Sequence, residues 1–323
     1  MTIFLKISLG EHLQILTRTI NKSVLTSRNI LSTLFLDSTN NHEEGGGTVF
    51  HEYSGRLGNH LFAWASTSGI ASENGMEKCM PHSKLLIFFD GIDNICQETF
   101  PLKNEIENGY AKWTKFDLHH TDTVIIGFLE SYKYFDPELR KPGSKKRLQL
   151  KPYILNHATV FLQKYPERVL VGIHVRDYEV SHLKVPSQRY YSTAVDYFTE
   201  RYHSVGFVVI CENPVWCLTQ PEFNGSNIHV SDKEQHFAVD MAILSTCDHM
   251  ILSVGTFGWW SAYLGPDSRP GSIIVYYKHE FIENHPHNTG QVQRTDYYPP
   301  HWVSVDDDGD VWPSVSVGYA VGG

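Results

Sequence analysis

The 323-residue sequence predicts an α/β protein organised on parallel sheets, and three observations carry that prediction. Val169 to Ile173 and Val205 to Cys211 are short, almost continuous apolar runs, the pattern of strands covered on both faces. Between them Gln188 to Tyr202 has apolar residues at helical spacing, and strand, helix and strand in that order imply a parallel pair. Two further stretches pass from a strand through glycines directly into a helix, at Gly55-Arg56-Leu57-Gly58 and at Gly255-Thr256-Phe257-Gly258.

Taken in order, residues 1–47 mix short apolar runs with Thr, Asn and Ser and end in three glycines, so they read as a tail and linker. Thr48 to Tyr53 is rich in β-formers and reads as the first strand. Ser54 to His60 then turns into a helix from Leu61 to Gly69, whose small later residues let it lie close on a sheet. Glycines with Arg56 and Asn59 in such a turn bring N–H groups and a cation toward an anionic or hydroxyl-rich ligand. The same turn with Asn59 as helix N-cap needs no ligand at all. The spacing is not the dinucleotide fingerprint, because Gly55-x-x-Gly58 lacks G-x-G-x-x-G.

Lys84 to Phe89 and Thr123 to Gly127 read as strands, and the aromatics of Phe128 to Phe135 either line a pocket or pack. Pro137 to Arg147 is charged and contains Pro142-Gly143, the best internal boundary, dividing 48–147 from 148–305. The strand from Val169 then delivers His174, Arg176 and Asp177 at its carboxyl end, where open α/β sheets bind ligands. Arg176 stands out, since a fixed fork of donors suits a pair of phosphate oxygens; an ion pair with Asp177 or Glu179 is the other reading.

Val205 to Cys211 leads to Glu212, Phe237 to Cys247 is helical with Asp240 near its start, and Met250 to Val254 is a strand. It ends in the second glycine turn, where Thr256 offers a hydroxyl and the helix start offers N–H groups. Ser272 to Tyr277 reads as the last strand. Asp306-Asp307-Asp308-Gly309-Asp310 has the D-x-D spacing that can hold a divalent ion, but it follows the last strand and reads as a solvated turn in a tail over 306–323.

A net charge of −9 with no clustered basic surface argues against a nucleic-acid partner. His119-His120 and His285-Pro286-His287 lack helical i, i+4 zinc spacing and read as surface imidazoles. The five cysteines, Cys79, Cys96, Cys211, Cys217 and Cys247, show neither CxxC nor ligand spacing, indicate no small disulfide scaffold, and leave at least one without a partner in the chain. No window approaches the roughly 18 apolar residues of a membrane span, and the first residues lack the plan of a signal peptide. Sequons stand at Asn21 and Asn224.

Four separated blocks, GRLGNHLFAWAS (Gly55 to Ser66), GFLESYKYF (Gly127 to Phe135), VGIHVRDY (Val171 to Tyr178) and DMAILSTCDHMILSVGTFGWWSAYL (Asp240 to Leu264), resemble those of the α-1,2-fucosyltransferases, in that order. The resemblance spans roughly residues 48 to 302. It implies a GT-B-like architecture, two Rossmann-like domains facing a cleft, with 48–147 on the acceptor side and 148–305 binding GDP-β-L-fucose. It further implies transfer of L-fucose with inversion to the 2-hydroxyl of a terminal β-galactoside, with no metal and no cofactor beyond the donor. By resemblance Arg176 holds the donor pyrophosphate and Asn59 stands beside the donor, the pair that carries catalysis. Thr256 and Phe257 close on phosphate, with Arg56, His174 and Asp177 nearby and Asp240 and Glu212 toward the nucleoside. The proton acceptor stays open among Glu52, His60 and Glu130. Such enzymes are Golgi lumenal and membrane-anchored. HVRDY stands where the family reads HVRRGDY, and His60 where it reads glutamine, which leaves a second reading of a silent GDP- or glycan-binding member.

Overall fold

The computed structural model describes residues 46–51, 54–81, 84–92, 95–96, 104–107, 109–141, 148–176, 180–231 and 235–313. Glu52, Asp177, the Asn21 sequon, the Pro142-Gly143 boundary and the end of the tail lie outside the described residues.

The first part of the chain contributes β1 (Thr48–His51), α1 (Leu57–Glu73), β2 (Glu77–Pro81), α2 (Leu85–Phe88), β3 (Phe89–Asp90), β4 (Ile95–Cys96), β5 (Asn104–Glu107), β6 (Thr123–Ile126), α3 (Pro137–Arg140) and β7 (Gln149–Leu150). The second contributes α4 (Pro152–Leu162), β8 (Val169–Val175), α5 (Gln188–Thr199), β9 (Val205–Cys211), α6 (Pro214–Cys217), β10 (Ile228–Val230), α7 (Phe237–Thr246), β11 (His249–Leu252), α8 (Thr256–Leu264), β12 (Ile274–Tyr277), α9 (Arg294–Tyr297), β13 (Val303–Val305) and β14 (Val311–Pro313).

The strands form a five-stranded sheet in the order β4-β2-β1-β6-β5 and a seven-stranded sheet in the order β10-β9-β8-β11-β12-β13-β14; β3 and β7 pair by themselves. Every pairing in the first sheet is parallel, and in the second only the last, β13 with β14, is antiparallel. The α/β expectation holds. The strand order fixes where ligands can reach. In the first sheet the chain runs outward through β2 and β4, then returns to β1's other side with β6, so the order reverses between β1 and β6. In the second it runs outward through β9 and β10, then returns to place β11 against β8. Crevices open at the carboxyl ends of strands where order reverses. Each sheet therefore carries one such crevice.

Five sequence expectations need correction. Lys84 to Phe89 is not a strand: Leu85-Leu86-Ile87-Phe88 makes one helical turn before β3, an ambiguity inherent in a short apolar run. Helix α1 begins at Leu57, so Asn59 is its third helical residue rather than its N-cap, and it accepts the Arg56 N–H at 3.1 Å through Oδ1. Tyr277 does not end the last strand, because β13 and β14 extend the second sheet. The acidic run is then the turn of their hairpin. Asp306 is buried and accepts the N–H groups of Asp308 and Asp310, each at 3.0 Å, while Asp307 takes Lys184 Nζ at 2.5 Å and the Tyr277 hydroxyl at 2.6 Å. These bonds hold the Asp307 carboxyl down at about 2 despite its partial burial. The cysteines also bond more than the spacing indicated: Cys211 and Cys217 form a disulfide, Cα to Cα 6.6 Å, bracketing Glu212 and α6. Cys247 is a buried free thiol.

Candidate functional site

The crevice of the second sheet is built from the ends of β8 and β11. Strand β8 is central, paired with β9 and β11 along its length, so its end is rigidly placed. The Arg176 backbone N–H donates to Ser253 Oγ at 3.2 Å, tying the two strand ends together. Past β11, Gly255 adopts φ +91°, a left-handed conformation that side chains disfavour, and a Cβ there would lie 2.6 Å from Arg176 Nη1. Only glycine lets the guanidinium lie across the turn that opens α8. Burial and the charge of Arg56 push the Arg176 pKa down from its ordinary value, against the opposing pull of Glu212, Glu280 and Tyr110. A guanidinium stays protonated regardless, so the direction marks a cation that gains from an added anion.

His174 is buried under α8, its ring centroid 5.5 Å from Phe257, and a Cβ on Gly258 would come within 2.5 Å of its Nδ1. Burial, Arg176 and Arg56 hold its pKa at about 3, so the imidazole is neutral at ordinary pH. It acts as a packed floor beneath the cation.

The crevice of the first sheet lies between β1 and β6. His51 ends β1, with Nε2 bonded to the Gly127 carbonyl at 2.7 Å and its pKa lowered to about 4 by burial first. After β6, Leu129 takes a left-handed φ of +50°, its carbonyl accepting Ser66 Oγ at 2.9 Å and the Ser131 N–H at 2.8 Å. That kink turns Glu130 inward, where it is 1 % exposed. Asn59 Nδ2 donates to Glu130 Oε1 at 2.6 Å, and Oε2 has no hydrogen-bond partner among the described residues. Burial above all, together with Glu280, holds the Glu130 carboxyl well above the usual range. His60, half-buried, has its pKa lowered by burial and by Lys84.

The two crevices meet. Arg56 Nη1 lies 3.3 Å from Glu212 Oε1 across the gap, both side chains exposed. Helix α1 crosses the start of α8 at Gly58, where a Cβ would lie 2.7 Å from the Thr256 carbonyl carbon and collide with its hydroxyl. Gly58→Ala is expected to cost about 1–3 kcal/mol by forcing these helices apart; chemical denaturation checks it, and an unchanged midpoint would show that the crossing is loose.

Tyr110 joins both sides. Its ring meets Phe128 at 5.9 Å, Phe281 at 5.8 Å and His182 at 5.3 Å, and it lies within electrostatic range of Glu130, Glu280 and Arg176. Around His182 the expected surface imidazoles gather into a rim, His287 at 5.7 Å and His285 at 6.1 Å, with Asn288 Nδ2 donating to the His182 and Ile282 carbonyls. Deep between the sheets Glu280, 1 % exposed, accepts the Gly255 N–H at 2.7 Å through Oε1 and the Tyr298 hydroxyl through Oε2.

The structure thus brings Arg176, His174, Thr256, Phe257, Arg56, Glu212, Asn59 and Glu130 around one cleft. Asp240 lies in the first turn of α7, its carboxyl pushed up to about 7 by burial. Sequence reasoning missed Tyr110 and Glu280. Glu280 had a signal, an acid just past the apolar run of β12; Tyr110 had none.

The architecture is that of a solved enzyme: a point variant of Arabidopsis thaliana FUT1 in complex with GDP superposes with a TM-score of 0.52, at 14% identity over 73% of this chain and 71% of that one. Among curated proteins, galactoside 2-alpha-L-fucosyltransferase Sec1 of Mus musculus is 28% identical over 82% of this chain and 76% of its own length. Galactoside alpha-(1,2)-fucosyltransferase 2 of Pongo pygmaeus is 27% identical over 65% of this chain and 67% of its own. The pattern of glycosyl transferase family 11 matches residues 44–305, a span that takes in the first sheet, all of the second but β14, and both crevices, and the chain belongs to that family.

Proposed function

We propose that this glycosyltransferase moves L-fucose from GDP-β-L-fucose to the 2-hydroxyl of a terminal β-galactoside, with inversion and without a metal. The observation that carries the reading is the opposition of the two crevices, which sets a cation and helix-start N–H groups on one side of a cleft and a buried acid on the other. The names of the relatives support the fucosyl group, the galactoside and the linkage, and the GDP held by the FUT1 variant supports the nucleotide.

In this reading residues 148–305 hold the donor and 48–147 the acceptor. Loss of GDP places negative charge on the β-phosphate, and Arg176 with the N–H groups at the start of α8 receives it. Thr256 adds a hydroxyl, Phe257 and His174 fix the floor, and Asp240 and Glu212 serve the nucleoside side. A fucosyl centre with oxocarbenium character is then attacked from the opposite face by the galactose hydroxyl, which gives inversion. Glu130 takes that proton: Asn59 holds one oxygen, and the other carries no hydrogen bond among the described residues. Burial that raises the carboxyl's proton affinity makes it a stronger base once ionised.

The purified chain is expected to transfer labelled fucose from GDP-fucose to N-acetyllactosamine, and to do so equally with chelator present. Product digestion by an α-1,2-specific fucosidase reports the linkage. Saturable GDP binding without transfer would favour a silent member, the second reading that HVRDY leaves open. Loss of transfer on chelation would overturn metal independence.

A further inference from the structure

We propose that Glu280 is a positioning residue of the donor-phosphate site, clamping the Gly255 N–H beside Arg176, and that its carboxyl takes up a proton when the pyrophosphate of a nucleoside diphosphate binds there. The inference rests on the donor assignment made above and goes beyond it to a group that touches neither substrate.

Glu280 lies three residues past β12, a neighbour of β11 in the sheet, so topology carries it under the turn that opens α8. One oxygen accepts the Gly255 N–H at 2.7 Å and the other the Tyr298 hydroxyl, and the side chain is sealed from solvent. These bonds set the turn whose glycine packs against the Arg176 fork. The charged and titratable groups around the carboxyl are Arg176 after β8, Arg294 of α9, Glu130 and Tyr110 from the other side of the cleft, Tyr190 of α5, and Tyr297 and Tyr298. Burial pushes the carboxyl up to about 8, against the Gly255 N–H and the two arginines, which favour its charged form.

A bound pyrophosphate tips this balance. It adds negative charge beside Arg176 and competes for that cation, and both effects favour the neutral carboxyl. The sign follows: the bound state holds the proton more tightly than the free state, so affinity falls as pH rises through and above the free value. Once neutral, the acid still accepts the Gly255 N–H through its carbonyl oxygen, so the turn keeps its shape while a buried repulsion on the donor is removed.

Titration calorimetry with GDP at pH 7, 8 and 9, in two buffers of different ionisation enthalpy, tests this on the full chain. Wild type is expected to take up protons at pH 8 to 9 and to lose up to about tenfold in affinity per pH unit there. Glu280→Gln mimics the protonated acid; it is expected to bind GDP within about threefold of wild type at pH 7, with a smaller proton count. The proton carried by GDP itself is common to both proteins. Glu280→Ala, which drops the clamp, is expected to lose about tenfold or more. Equal proton counts in wild type and Glu280→Gln, or undiminished binding by Glu280→Ala, overturn the proposal and leave the donor assignment standing. Absence of GDP binding by wild type overturns both.

Discussion

Arg176→Ala is expected to lower kcat/KM for fucosyl transfer by about 10² to 10³, the usual loss when one preorganised donor to a developing charge is removed. The charge grows on the leaving phosphate, so the loss should appear in turnover as well as in GDP affinity. Thermal stability gives the control. Glu212, Glu280 and Tyr110 offset part of the cost of burying Arg176 beside Arg56, so its removal should move the unfolding midpoint only slightly. Arg176→Lys should recover only part of the activity, because an ammonium cannot offer a planar fork to two oxygens. Steady-state rates with labelled donor, paired with thermal denaturation, check all three statements. Wild-type turnover in the alanine variant would remove Arg176 from the donor site.

Glu130→Gln is expected to lower kcat by about 10² to 10⁴ while leaving GDP affinity near wild type. Glutamine retains the shape and an oxygen to accept from Asn59, so only proton acceptance is lost. The pH profile provides a second handle. A base must be ionised, and burial together with Glu280 raises the Glu130 pKa; wild-type kcat should therefore climb with pH on a limb above the ordinary carboxylate range and fall as pH drops through it. That limb should vanish in the glutamine variant. A variant within threefold of wild type, or one that keeps the limb, would return the proton acceptor to His60 or Glu52.

Much of the second sheet and its crevice is legible in the sequence because its information is local. Strand β8 announces itself by a continuous apolar run, and the residues that follow it stand at a carboxyl strand end, whichever sheet the strand joins. The glycine turns before α1 and α8 are legible for the same reason, although the start of α1 is off by four residues because Gly58 and Asn59 look like turn residues and are helical. What escaped depends on distant chain segments. Glu280 matters only because β12 lies against β11, and Tyr110 only because its loop meets His182 and Phe281 in the loops that follow β8 and β12. The acidic hairpin escaped because Asp306 and Asp307 find Lys278, Lys184 and Tyr277 through folding rather than through neighbours in sequence. Charge runs alone cannot announce such partners.

The crossing of α1 and α8 at Gly58 has a mechanical consequence. With no side chain between them, the two helix starts lie backbone against backbone, and further bonds join the same two halves: the Ala111 N–H donates to the Gln291 carbonyl at 2.9 Å, the Ser131 hydroxyl donates to the Asp296 carbonyl at 2.6 Å, and Lys133 pairs with Asp296 at 2.6 Å. Arg56, Arg176 and Gly255 therefore stand on a preassembled floor, so the polar groups around the cleft are oriented before anything binds to them.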